Sequence, residues 1–100
     1  MSILVIAEHD NTNIKGATLN TLAAATQISG DVTLMIAGSD CASVVSEAQT
    51  FDGVSKIIST DNDKYKNFLA EDMTELVMSV ANNYGHIMAP ATTFGKNLLP

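Results

Sequence analysis

The chain alternates short, continuously apolar runs with longer stretches in which apolar positions recur every third or fourth residue. The runs are Ile3-Leu4-Val5-Ile6-Ala7-Glu8, Val32-Thr33-Leu34-Met35-Ile36-Ala37, the shorter Lys56-Ile57-Ile58-Ser59, and His86-Ile87-Met88-Ala89-Pro90. Continuous apolarity suits strands covered on both faces, because either set of alternate side chains then meets a helix. Between the runs, Leu19, Leu22, Ala23 and Thr26 fall at i, i+3, i+4 and i+7, predicting a helix over about residues 17–28 with that stripe inward. Gly30 is expected to end it in the left-handed conformation. Asp40 is expected to cap a second helix whose inward residues are Val44, Val45 and Ala48. Met73, Leu76, Val77 and Val80 repeat the stripe in a third helix, with Glu71, Asp72 and Glu75 toward its positive end. Gly85 then releases the chain into the fourth run.

This order, strand-helix repeated three times before a last strand, predicts a parallel sheet with right-handed crossovers and helices on both faces. The expected fold class is therefore α/β: a three-layer α/β/α sandwich with a mostly parallel sheet in the order 3-2-1-4, of Rossmann-like or adenine-nucleotide-hydrolase-like kind. The polar stretch Asp61 to Asn67 is expected to be a loop with solvated charges. Phe94 to Pro100 reads as the first turn or two of a fourth helix, and a helix stopping on Leu98-Leu99 would leave apolar surface open. Residues 1–100 are therefore expected to be the N-terminal part of a single α/β domain, incomplete at its C-terminal side. On that reading the isolated segment should self-associate through the free edge of the fourth strand.

A hydrophobic content of 46% with 16% charged residues fits a globular chain rather than a disordered one. The net charge is −6 and the five basic residues are all lysines. Without arginine there is no bidentate fork for phosphate or guanine, so nucleic acid and anionic membrane surfaces are disfavoured partners. The single cysteine, Cys41, excludes an internal disulfide and any Cys-x-x-Cys pair. Its plainer reading is a small residue in the first turn of a helix. No apolar run approaches the ~18 residues that would span a bilayer. The first strand begins too early for a leader, so no signal peptide is expected, and the expected compartment is the cytoplasm.

In an open parallel sheet, sites form beyond the carboxyl ends of the strands. That edge carries Glu8-His9-Asp10, Ser39 and Asp40, Thr60 and Asp61, and Thr92-Thr93. The set is acidic and hydroxylic, the wrong sign for cradling phosphate. Neither GxGxxG nor GxxxxGK[ST] occurs, and Gly95-Lys96 is an isolated pair of the kind that packs at a helix start. Glu8, Asp10 and Asp61 imitate part of a receiver-type phospho-acceptor site, against the plainer reading of turn residues on a solvated rim. His9 at the exit of the first strand and His86 at the entry of the fourth are too far apart to share a ligand. No residue is therefore assigned as catalytic, cofactor-binding or metal-binding, and the segment is not expected to be an enzyme.

Two stretches resemble the alpha subunit of electron-transfer flavoprotein. Ile3 to His9, followed by Thr18-Leu19-Asn20-Thr21 and its alanines, is similar to that family's first strand and helix. Phe94-Gly95-Lys96-Asn97-Leu98-Leu99-Pro100 is similar to the start of its fourth helix. Ile36-Ala37-Gly38, Asp63-Lys64-Tyr65-Lys66 and Glu75-Leu76 match in register. The resemblance implies an electron carrier about three times as long as this chain, pairing with a beta subunit that holds AMP and moving electrons from dehydrogenases to a quinone oxidoreductase. It implies FAD in the intact protein, bound beyond Pro100, and no cofactor on this segment. Its N-terminal domain is implied to be a scaffold against the beta subunit, in a bacterial cytoplasm or a mitochondrial matrix. Two alternatives remain open at this point: a small nucleotide-binding α/β module and a receiver-like phospho-acceptor.

Overall fold

The computed structural model describes residues 2–66 and 70–90. Strands β1 (Ser2–Ile6), β2 (Asp31–Gly38), β3 (Lys56–Asp61) and β4 (His86–Met88) form one parallel sheet in the order β3-β2-β1-β4. Helices α1 (Gly16–Ile28), α2 (Ala42–Ala48) and α3 (Ala70–Val80) connect them. The expected α/β class and strand order are both observed.

The continuous apolarity of the strands has a direct structural cause. Ile3, Val5, Val32, Leu34 and Ile36 point to one face, where they pack with Leu22 and Ala25 of α1 and with Val44 and Ala48 of α2. Leu4, Ile6, Met35 and Ala37 point to the other, against Met73 and Val77 of α3 and Tyr65. Each core β-strand residue is thus withdrawn from water whichever way it points. At roughly 1.5–3 kcal/mol for each large apolar side chain, these two cores are the main source of stability.

Several local expectations are corrected. The buried stripe of α1 is Thr18, Thr21, Leu22 and Ala25, one position back from the expected one, and Leu19 is 47% exposed. Thr18 sets the phase: its hydroxyl accepts the Glu8 N–H at 2.8 Å and donates to the Glu8 carbonyl at 3.1 Å. That paired contact turns Thr18, not Leu19, toward the sheet. Gly30 is not left-handed; α1 ends on extended Ser29, whose N–H bonds the Ala25 carbonyl. Asp40 does not cap α2 either. It is itself left-handed (φ 53°), Cys41 occupies the cap position without a side-chain bond, and the capping oxygens come from Asp61. The polar stretch after β3 contains a 3-10 turn, Asp63–Tyr65, that buries Tyr65 against the α3-side core. The expected fourth helix, with Thr92, Thr93, Gly95 and Lys96, lies outside the described residues.

Candidate functional site: the carboxyl edge of the sheet

The loop between β1 and α1 dominates this edge, and it is held by a network built almost wholly from backbone partners. His9 lies within it, only 3% exposed. Its Nδ1 accepts the Asn11 N–H at 3.0 Å, which obliges the proton to sit on Nε2, where it is donated to the Ala37 carbonyl at 2.9 Å. The imidazole is therefore the neutral Nε2–H tautomer. Burial pushes its pKa down, partly opposed by the Ala37 hydrogen bond and by the nearby charge of Asp10.

Asn11 adopts φ 71°, a conformation asparagine tolerates better than most residues. From there its Oδ1 accepts the Ser39 N–H at 3.0 Å and its Nδ2 donates to the Lys66 carbonyl at 3.2 Å. One side chain thus ties the β1 exit to the ends of β2 and of the turn after β3. Gly38 permits this approach, since a Cβ there would stand 2.5 Å from Asn11 Oδ1 and 2.7 Å from His9 Cε1. On the other side, Ser43 of α2 donates to the Thr12 carbonyl and Glu47 accepts the Ile14 N–H.

The acidic groups of the rim are occupied separately. Asp10 accepts the N–H groups of Asn13 and Thr12, at 2.7 and 3.0 Å, and these bonds hold its exposed carboxyl below the ordinary range. Asp61 spends its two oxygens on the Asp40 and Cys41 N–H groups, and Asp63 accepts the Ser39 hydroxyl at 2.9 Å. The carboxylates of Asp10 and Asp61 are thus each committed to their own pair of backbone N–H groups, where a receiver site would need them to converge. Among the described residues no three His, Cys, Asp or Glu side chains are gathered as a metal site. His86 pairs in register with Ile3, at the far end of the strand from His9.

Cys41 is buried, and burial together with the charges of Asp61 and Asp40 pushes its thiol pKa up. It borders a groove of about 370 Å³ with Val45, Ser59 and Asp61. A second groove, of about 360 Å³, runs between α1 and β4, lined by Ala17, Asn20, Thr21, Ala24, Met88 and Ala89. It flanks the switch point where the sheet order turns from β1 to β4, and among the described residues none that lines it is basic. Sequence reasoning missed Asn11, Thr18, Gly38 and Glu47. Only Asn11 carried a signal, as an asparagine inside a tight polar turn.

The model of the electron transfer flavoprotein domain matches residues 3–100. The chain belongs to that family. Its relatives include the electron transfer flavoprotein subunit alpha of Pseudomonas aeruginosa, 48% identical over all of this chain and 32% of the relative. That of Paracoccus denitrificans is 34% identical over the same shares, and the mitochondrial alpha subunit of Arabidopsis thaliana is 36% identical over all of this chain and 30% of its own length. The chain spans about a third of the length of the curated relatives it matches. Within this electron transfer flavoprotein domain, no helix among the described residues is long and apolar enough to cross a membrane.

Proposed function

We propose that residues 1–100 are the N-terminal scaffold and subunit-contact part of an electron transfer flavoprotein alpha subunit. The carrying observation is the likeness to alpha subunits along the whole of this chain, at 48% identity to that of Pseudomonas aeruginosa and 34% to that of Paracoccus denitrificans. In this reading the intact protein pairs with a beta subunit and carries FAD on a separate C-terminal domain. It relays electrons from dehydrogenases to a quinone oxidoreductase, in a bacterial cytoplasm or, in a eukaryote, a mitochondrial matrix. The carboxyl edge supports a scaffold role: its polar groups are turned onto the protein's own backbone, and the acids there would repel a pyrophosphate.

Co-expression of the full-length chain with its beta subunit tests this. A complex that co-elutes with a flavin absorption band is expected, and a full-length chain that neither pairs nor holds flavin would overturn it. The groove at the β1–β4 switch point favours the second reading, a nucleotide module. Calorimetric titration with AMP and ATP would detect it as saturable binding that needs no partner subunit.

A further inference from the structure

We propose that His9 is a proton-sensitive latch that holds the Asn11 half of the β1–α1 loop against the end of β2. This goes beyond the scaffold reading and stands on the geometry of one side chain. His9 is buried, and each ring nitrogen has a backbone partner of opposite kind. Nε2–H can keep donating to Ala37 at any pH. Nδ1 cannot keep accepting: once protonated it presents a hydrogen to the Asn11 N–H, turning an attraction into a donor–donor clash. Asn11 sits where no small shift relieves this, with its side chain bridging Ser39 and Lys66 and the Gly38 backbone packed against both residues. Proton uptake therefore favours release of Asn11, and with it the Ser39 and Lys66 bonds.

The surrounding charges do not stabilise the protonated ring enough to prevent this. From its own loop come Glu8, Asp10 and Lys15; Asp10 favours the proton, but its carboxylate is committed to Thr12 and Asn13. The β2 exit brings Asp40, and the end of β3 with its turn brings Asp61, Asp63, Lys64 and Lys66. Of these, Asp61 is held by the Asp40 and Cys41 amides and Asp63 by Ser39, while Lys66 offers its carbonyl to Asn11. From α2, Glu47 is held by Ile14. The net direction of the His9 shift, downward through burial, agrees with a folded loop that disfavours the charge.

The release should be one-sided. The Thr12 carbonyl and Ile14 N–H are bound to α2 through Ser43 and Glu47, contacts that do not involve the imidazole. The test is residue-resolved amide hydrogen exchange on the full-length chain between pH 7.5 and 5, corrected for intrinsic exchange. With an ordinary histidine pKa near 6.5 in the open loop, the opening equilibrium at Asn11 and Ser39 should rise several-fold, with a ceiling of about 30-fold at pH 5. The Ile14 amide and α3 should not follow. His9→Asn places a carbonyl oxygen near the Nδ1 position and cannot titrate, so the excess rise should vanish in it. A flat wild-type profile, or the same rise in His9→Asn, would overturn the latch. Should that variant fail to fold, the wild-type imidazole titration followed by NMR decides alone: a midpoint at or above 6.5 refutes the proposal and one below it supports it.

Discussion

The carboxylate of Asp61, at the end of β3, accepts the backbone N–H of Cys41 at 3.2 Å and so caps α2 from a different strand. The same carboxylate takes the Asp40 N–H at 2.8 Å. A helix of seven residues has few internal bonds, so its orphan N–H groups matter more than in a long helix. Asp61→Ala is expected to cost about 1–2 kcal/mol, and Asp61→Asn less, because one oxygen remains. Urea denaturation of the three proteins checks the order, and equal stabilities would show that water caps α2 equally well.

Thr18 and Leu19 make a sharper pair. Thr18 is fully buried with its hydroxyl on both backbone groups of Glu8, whereas Leu19 is nearly half exposed. Thr18→Val keeps the shape and strands the Glu8 N–H, which should destabilise by about 1–3 kcal/mol. Leu19→Ser should change stability by no more than about 0.5 kcal/mol in either direction. Thermal or chemical denaturation giving the reverse order would mean that α1 is rotated by one position.

Gly38 is where the β1 exit and the end of β2 come closest. A methyl group there meets Asn11 Oδ1 and His9 Cε1 well inside contact distance, and both side chains are held by their own hydrogen bonds. Gly38→Ala should therefore destabilise by about 1–3 kcal/mol by overpacking. It should also perturb the His9 ring and the Ser39 amide in NMR spectra, while leaving α3 unchanged.

These contacts explain what could be read in the sequence and what could not. Strands such as Ile3 to Ile6 and helices such as α3 were legible because burial on both faces, or on one stripe, leaves a one-dimensional pattern. The phase of α1 was not legible: Ala, Thr and Leu are spread around it, and the deciding bond joins Thr18 to a residue ten positions away. Asp40 looked like a cap because local chemistry favours aspartate before a helix, but Asp61 occupies that role across the sheet. The rim was legible only as a list of polar residues. The burial of His9 depends on Ala37 and Gly38 arriving from β2, almost thirty positions away, which no local spacing records. The family match was legible because it rests on residue identity along the chain rather than on geometry.

Cys41 offers a pH dependence of opposite sign to His9. Burial and the charges of Asp61 and Asp40 raise its thiol pKa in the folded protein, so the unfolded chain gives up its proton first as pH rises. The native state then binds more protons than the unfolded state, and stability must fall as pH climbs through the ordinary thiol range toward the raised value. For His9, with its pKa lowered, the stability is present above the ordinary histidine value and is lost on acidification. Cys41→Ser removes the alkaline component, because serine does not titrate there, and leaves the acidic one intact. Denaturation curves at pH 7.5 and 9.5 should show the wild type losing more stability than Cys41→Ser over that interval. Thiol-reagent kinetics give an independent reading: the native thiol, protonated and buried, should react far more slowly at pH 8 than the denatured chain. A native rate equal to the denatured rate, together with parallel pH profiles for wild type and Cys41→Ser, would place Cys41 in water rather than beneath the first turn of α2.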